Sequence, residues 1–510
     1  MTLPYLSACD ITGSSALASL PAAQMVPGFY FKPHNLQPHF AVIEAMYTAA
    51  DLSGRTQAAW NTRLDWVQES INFRGFQLSV PWGLYETGVS GGDFSNLLLL
   101  KEIVDELESI GKYAMLMVFQ FREFRNPDVS GIGVDNQMRY LLPADMRTHQ
   151  GVVDSLTILA SQGITPLSTT GKPSNATGAN NQYAYDAATN MLYGPKANGV
   201  WPNGAVDPMR QNLWDYAYGY QKGQNSNFGF ELKIYDSYVQ SRMLLFAEAV
   251  ADTFNGSSAV VAITTHESAN AGPMYRGTAA GSVDADGYDA TISLVDTPTN
   301  PRRAGLAGKS AVLKAARPLF PNKIFMQDIN VPLNGYNYVA EYFGYVLEHK
   351  MGATTSDVGW WEPDLNELPE PTRGCLPRMA DYSDQIPTCA QWQQDGWDSV
   401  VHDAPSITST ADYNQRYADI YARTTTGNAT VGFGMNCHMC IIQLETSYNV
   451  WLGGNTQNTN SGALMYNSAA PNNTPIPSLK TWLKNKFTAE GITDGSGGLS
   501  KTATDFIGYS

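Results

Sequence analysis

The chain alternates between short, continuously apolar segments and longer amphipathic segments, and this alternation restricts its fold more than any other feature. Apolar segments without polar alternation are typical of strands that are buried on both faces, as in parallel sheets. Segments with apolar residues every three or four positions are typical of helices that pack one face on such a sheet. The alternation therefore predicts an α/β protein, a (β/α)8 TIM barrel with long loop insertions.

Eight segments are predicted to be the barrel strands, in chain order 25–32, 73–80, 113–119, 259–267, 323–328, 353–357, 439–445 and 462–466. An open, doubly wound sheet is the alternative. No Gly-x-Gly-x-x-Gly turn follows the first strand, so a dinucleotide-binding fold lacks support. Residues 1–24 are expected to form an N-terminal extension to a catalytic barrel that spans 25–510. Insertions in the barrel are expected at about 125–230 and at 364–405, where Gly, Asn and Pro are frequent.

Composition and charge narrow the function. The chain has 510 residues, of which 43% are hydrophobic and 15% are charged, with a net charge of −15. Such a chain can bury a large core. Its negative charge argues against a nucleic-acid partner and against docking on an anionic membrane, because both need a basic surface. No apolar run reaches the roughly 18 residues that a membrane span needs. No phosphate-binding loop is present, and we expect neither a cofactor nor a metal.

Glu267 and Glu445 each close an apolar, β-branched run. A carboxylate at the end of a buried strand is costly to desolvate unless a function keeps it there. In an α/β barrel, active sites are built at the carboxyl ends of the strands. Two such carboxyl groups on either side of a sugar ring are what the hydrolysis of a glycosidic bond requires. The alternative is that each glutamate is structural, capping a loop or pairing with a buried cation.

With these two residues the chain resembles the clan A glycoside hydrolases, retaining (β/α)8 enzymes that include the family 5 cellulases and mannanases. In that clan the acid/base ends strand four and the nucleophile ends strand seven. The matching positions are Glu267 in Thr264-Thr-His-Glu-Ser268 and Glu445 in Gln443-Leu-Glu-Thr-Ser447. The resemblance implies an O-glycosyl hydrolase that cleaves a β-linked polysaccharide or glycan by double displacement. The expected insertions would form a cleft, which favours endo action.

His266 marks this chain as a divergent member of the group, because the clan usually has Asn directly before the acid/base. The resemblance implies that His266 donates the hydrogen bond to the sugar 2-hydroxyl, or that the substrate differs at that carbon. Further substrate contacts are expected from polar and aromatic residues at or just beyond predicted strand ends, since aromatic rings can stack on the apolar face of a pyranose. They are His34, Trp82, Glu86, Asp328, Asn330, Trp360, Trp361 and Tyr448. Each aromatic residue has core packing as its alternative, and Glu86 could also replace one of the catalytic residues.

The cysteines leave alternatives open. A disulfide between Cys375 and Cys389 is one interpretation, and a Cys₄ zinc site that adds Cys437 and Cys440 is another, although their spacing matches no standard zinc module. The third is that they are small buried residues.

Residues 1–24 contain no intact secretory signal. We nevertheless expect an extracellular or secreted protein, whose signal was trimmed, or a protein of a virion. The alternative function is a glycan-binding virion or surface protein that has the same barrel but no catalysis. A metal-dependent barrel enzyme would need several His and Asp at strand ends, and the seven histidines are scattered.

Overall fold

The computed structural model describes residues 20–33, 57–87, 91–123, 142–143, 146, 156, 159–160, 163–168, 184–187, 191–193, 214–221, 224–232, 234, 237–265, 301–329, 343–355, 375–392, 409–443, 450–455, 475–504 and 506–509. Within them, eight parallel strands pair side by side into a closed barrel. In chain order these strands are β1 (Gly28–Lys32), β2 (Phe73–Ser79), β3 (Tyr113–Phe119), β4 (Val260–Thr265), β5 (Ile324–Asp328), β6 (Gly352–Thr355), β7 (Thr388–Trp392) and β8 (Met439–Gln443). The barrel closes where β8 pairs with β1, Lys32 lying opposite Gln443.

A helix follows each strand and covers the outside of the barrel. In chain order these helices are α1 (Gln57–Gln68), α2 (Leu97–Ser109), α3 (Ser237–Phe254), α4 (Pro301–Ala316), α5 (343–348), α6 (Cys375–Tyr382), α7 (Thr410–Thr424) and α8 (Leu479–Ala489). Their apolar faces and the outward side chains of the strands form one large core. The predicted (β/α)8 architecture is confirmed. None of the helices that the structure describes is both long and apolar enough to cross a membrane.

The structure differs from the prediction in the seventh and eighth strands of the barrel. The seventh strand is β7, which lies inside the interval 364–405 that was predicted to be a loop. That prediction is wrong for α6 and β7. The sequence of β7, Thr-Cys-Ala-Gln-Trp, has no β-branched apolar run and follows a Pro-rich stretch, so its strand signal is weak. The strand that precedes Glu445 is consequently the eighth, and the predicted eighth strand at 462–466 lies outside the described residues.

The chain between β3 and α3 contains two small sheets in its described parts. Arg122–Glu123, directly after β3, pairs with Gln224–Leu232, which in turn pairs with Trp214–Gln221. The other sheet joins Leu167–Ser168, Ala184–Asp186 and Met191–Tyr193. Because this segment leaves the carboxyl end of β3, it belongs to the face of the barrel where active sites are built.

The amino ends of the strands are covered by the two ends of the chain. Gln24 donates a hydrogen bond to the carbonyl of Ser258, just before β4. The C-terminal segment passes below β1 and β2, where the Asn72 side chain donates to the carbonyl of Ile492 and accepts from the N–H of Gly497. The described part of the predicted extension therefore lies at the bottom of the barrel, opposite the candidate site.

His438 connects this C-terminal segment to the barrel. The N–H of Thr388 donates to His438 Nδ1 at 3.2 Å, so the ring proton is on Nε2, which donates to the carbonyl of Thr502 at 3.1 Å. The ring is fully buried, and burial lowers the pKa of His438 from 6.5 to about 4. The neutral ring is therefore the form that the fold requires.

This His438 arrangement predicts a specific loss of stability in acid. A folded-state pKa below the unfolded value means that the stabilisation is complete above about pH 6.5 and is lost as the pH falls towards 4. The shift corresponds to about 3 kcal/mol of unfolding free energy. Urea unfolding at pH 7 and pH 4 measures it: the His438→Phe protein should lose about 3 kcal/mol less than wild type between the two values. The control is His349→Gln, at a partly buried ring, which should retain most of the loss of unfolding free energy between pH 7 and pH 4. Equal losses in wild type and in His438→Phe would contradict the attribution of this loss to His438.

Candidate active site

The interior of the barrel is apolar in its lower part and polar at the carboxyl ends of its strands. The lower interior is a cluster that includes Tyr30, Met326, Cys389 and Ile441. Because side chains alternate along a strand, the residues two positions further on also point inward. These residues and their neighbours are polar and buried, and we call them the polar floor: Lys32, Gln77, Ser79, Thr264, Asp328, Thr354, Gln391 and Gln443.

One side of the polar floor is a chain of hydrogen bonds across three strands. Lys32 Nζ, on β1, donates to Gln391 Oε1, on β7, at 3.2 Å. Gln391 Nε2 donates in turn to Gln443 Oε1, on β8, at 3.1 Å. Strand β8 lies between β1 and β7, so the first of these bonds crosses the barrel interior. Only 2% of Lys32 is exposed, which places its amino group inside the β1/β7/β8 wall.

The opposite side of the floor carries a carboxyl group. Asp328 ends β5 with 3% of its surface exposed, and its N–H donates to Thr265 Oγ1 of β4 at 2.8 Å. Burial raises the pKa of the Cys389 thiol, a hydrogen bond with Thr354 lowers it, and the charge of Asp328 raises it further. That coupling reaches from β5 to β7 and agrees with an inward-facing Asp328 carboxylate. The sequence-based prediction had placed Asp328 at a strand end, which is correct.

Between these sides, Gln77 links β2 to β4. Its Nε2 donates to Thr264 Oγ1 at 3.0 Å, across the interior from a strand that is not a neighbour. Its Oε1 is buried and accepts no hydrogen bond. A buried acceptor without a donor destabilises the fold by about 1–3 kcal/mol.

The two predicted catalytic glutamates follow strands that lie directly opposite each other. Glu267 comes two residues after the end of β4, and Glu445 two residues after the end of β8. In the order of the closed barrel, three strands separate β4 from β8 in either direction. Both residues lie outside the described residues. The same is true of six predicted substrate-binding residues, namely His34, His266, Asn330, Trp360, Trp361 and Tyr448.

The position of Glu445 removes one element of the clan A resemblance. The clan has its nucleophile at the end of strand seven, and β7 here ends in Gln391-Trp392 without a carboxylate. The sequence predicts that Glu445 follows strand seven, which would match the clan, but the strand before Glu445 is β8. Membership in a family 5-like group is therefore not established. The pairing of the two glutamates is supported instead by their places in the sequence, each two residues after one of two opposite strands.

Trp82 and Glu86 have structural partners. Trp82 begins a single helical turn after β2, Trp82–Tyr85, and Glu86 follows that turn. Trp82 Nε1 donates to Glu86 Oε2 at 2.5 Å. Glu86 also accepts from the N–H of Gly92 and forms an ion pair with Arg242 of α3. Trp82 is fully buried and stacks on Phe246, while Glu86 is 1% exposed. These contacts account for both side chains without a substrate, so we leave them out of the proposed site.

Sequence reasoning missed Lys32, Gln77, Gln391 and Gln443. For Lys32 and Gln443 a signal was present, because both are polar residues at the end of a strand in phase with inward-facing apolar residues. For Gln391 no signal was available, since β7 itself was not predicted.

The four described cysteines are buried free thiols. The alternative of a Cys375–Cys389 disulfide is therefore wrong. No group of three or more His, Cys, Asp or Glu side chains comes together among the residues that the structure describes. All four cysteines belong to those residues, so the Cys₄ zinc site is wrong as well. Burial raises the pKa of Cys437 and of Cys440, as expected for thiols that pack as small apolar groups.

Comparison with known proteins gives little. No protein-family model matches the chain, and no curated protein matches it. Among solved structures, it is similar to a family 89 glycoside hydrolase from Clostridium perfringens that was solved with 2-acetamido-1,2-dideoxynojirmycin. The identity is 11% and the TM-score is 0.29; the match covers 91% of this chain and 39% of that chain. A likeness this distant does not bear on function.

Proposed function

We propose that this protein is a glycoside hydrolase that cleaves a β-linked polysaccharide or glycan. The observation that supports the proposal most is the buried polar floor, at the carboxyl end of a closed parallel barrel and between two opposite strands that each lead to a glutamate. In barrels of this kind that end of the strands is where chemistry is carried out. A floor rich in amides, hydroxyls and single charges suits a polyhydroxylated, uncharged ligand, because each group can pair with a hydroxyl.

The proposed mechanism is a retaining double displacement. Glu267 protonates the departing glycosidic oxygen while the Glu445 carboxylate attacks the anomeric carbon, which gives a covalent glycosyl-enzyme intermediate. Glu267 then removes a proton from the water that hydrolyses it. Opposite strands are compatible with this, since the interior of an eight-stranded barrel is only wide enough for side chains to fill it. Retention requires the carboxyl groups to be about 5 Å apart, and about 6.5–9.5 Å would give inversion.

The proposed substrate contacts are Asp328 of the polar floor and six residues predicted from the sequence that lie outside the described residues: His34, His266, Asn330, Trp360, Trp361 and Tyr448. His266 is assigned to the sugar 2-hydroxyl, and the aromatic residues are assigned to stacking. Endo action and an extracellular or virion-associated location remain parts of the proposal that rest on the sequence alone.

The test is the release of reducing ends from a panel of β-linked glucans, mannans, xylans and N-acetylated glycans. The wild type is compared with the double variant Glu267→Gln/Glu445→Gln and with a surface control, Glu348→Gln, whose side chain is 71% exposed. We expect release by wild type and by the control, and none by the double variant. Equal release by wild type and double variant, or none by either, would refute hydrolysis at this site. Retained binding without release would identify the glycan-binding alternative. Proton NMR of the first product distinguishes retention from inversion.

A further inference from the structure

A thin strap covers the amino end of the barrel, formed by residues 491–504 and 506–509, which follow α8. Asn72, just before β2, binds it through two hydrogen bonds. Carbonyls that precede β8 and β5 bind its later parts: Ser500 N–H donates to Cys437 at 2.9 Å, and Tyr509 N–H donates to Pro321 at 2.8 Å. The strap therefore crosses the barrel end from the start of β2, past that of β8, to that of β5.

His438 joins the strap to β7. Its Nδ1 accepts from the N–H of Thr388, and its Nε2 donates to the carbonyl of Thr502, which belongs to the strap. The ring is fully buried, whereas Lys501, Thr502 and Ala503 are exposed. A single layer of chain therefore lies between the ring and water on this side of the barrel.

Protonation of His438 is unfavourable while the strap is closed. A protonated ring carries a proton on Nδ1 and can no longer accept from Thr388, and its charge is buried away from water. Burial lowers the pKa of His438 to about 4, and the hydrogen bond with Thr502 opposes this shift. Displacement of the strap exposes the ring to water, where its pKa returns towards 6.5. Opening is thereby coupled to proton uptake, and this linkage favours the open strap about 10²-fold more at pH 4 than at pH 7.

The other titratable groups on the elements around His438 differ from it in their response to acid. They are Cys389, Cys437, Cys440, Tyr421, Arg74, Asp494 and Lys501. Burial raises the pKa of the three thiols and of the Tyr421 hydroxyl, so these groups are neutral. The two cations keep their charge in acid. The hydrogen bond with Lys501 lowers the pKa of Asp494, so that carboxylate is still mostly ionised at pH 4. Of these groups, His438 is therefore the one whose charge changes between pH 7 and pH 4.

We propose that the strap is a conformational switch that opens in acid, with His438 as its latch: the neutral ring holds the strap closed, and the protonated ring gains water when the strap is displaced. Opening uncovers apolar surface, because Gly497 lies directly against the ring of Phe29 and Ile507 packs on the lower barrel interior. This switch does not depend on any catalytic activity.

Hydrogen–deuterium exchange at pH 7 and pH 4, read by mass spectrometry, tests the switch. In wild type the protection factors of the strap amides, which include Gly497 and Ser500, should fall by about 10²-fold between the two pH values. Those of β2 and β3 should fall much less. In His438→Phe, whose ring takes up no proton, the strap should be protected to nearly the same extent at both pH values.

The control variant is Asp494→Asn, which removes the ion pair within the strap. It should lower protection of the strap at both pH values and keep the fall in acid, because His438 is unchanged. A loss of protection that is equal in the strap and the barrel strands would identify global unfolding and overturn the proposal. An equal fall of strap protection in wild type and in His438→Phe would overturn it as well. Should His438→Phe fail to fold, His438→Gln, an uncharged side chain with both a donor and an acceptor, replaces it in the same comparison.

Discussion

Replacement of Glu445 by glycine should lower the rate of glycan hydrolysis by about 10⁴-fold or more. The reason is that a water molecule which no residue positions or activates is a much weaker nucleophile than the proposed carboxylate. The variant keeps Glu267, and therefore keeps the acid that assists departure of the leaving group. What it lacks is the group that attacks the anomeric carbon. The measurement is the initial rate of reducing-end release at the pH optimum of the wild type.

Added azide distinguishes a lost nucleophile from a damaged fold. Azide can enter the space vacated by the carboxylate and attack the anomeric carbon, while the bond to the leaving group breaks and Glu267 supplies the proton. A β-linked substrate should then give the α-glycosyl azide. The control Glu348→Gln should show neither the loss nor any response to azide. If Glu445→Gly retains a substantial fraction of the wild-type rate, Glu445 is not the nucleophile.

The barrel could be predicted from the sequence because its strands leave a strong local signal. Runs such as Val260–Thr265 and Met439–Gln443 are buried on both faces, so burial alone dictates a continuous apolar sequence. Strand β7 has the same surroundings but a different sequence. Its Gln391 faces the polar floor and its Trp392 donates to Thr424 of α7, so neither position needed an aliphatic residue. The hydrogen bonds of Gln391 and Trp392 therefore account for the absence of the apolar pattern by which this strand would have been recognised.

The error at β7 shifted one residue assignment and left another intact. Counting depends on every earlier strand, so a missed β7 moved Glu445 from the eighth position to the seventh and produced a match to clan A. The assignment of Glu267 to strand four depended only on strands that were predicted correctly. Trp82 and Glu86 show a different limit of sequence-based prediction. Their position just after a strand could be inferred from the sequence. Their partners Phe246 and Arg242 could not, because these residues are on α3, far away in the chain.

Replacement of Glu267 by alanine should have an effect that depends on the leaving group. For a natural glycan, whose departing alkoxide is a poor leaving group, loss of the general acid should cost about 10²–10⁴-fold in kcat/KM. For an aryl glycoside with a nitro-substituted phenol, the bond breaks without protonation, so formation of the glycosyl-enzyme intermediate should remain close to the wild-type rate. Stopped-flow measurement should show a burst of phenol followed by slow turnover, because Glu267 is also the base that activates water in the second step.

The pH dependence of the Glu267→Ala variant makes this experiment more informative. Glu267→Ala should lose the basic limb of the pH profile of kcat/KM altogether, since no acid remains to be titrated. A basic limb that persists in Glu267→Ala would assign the acid to another residue. Equal losses on both kinds of substrate would mean that Glu267 supports the fold or binds the sugar, without transferring the proton.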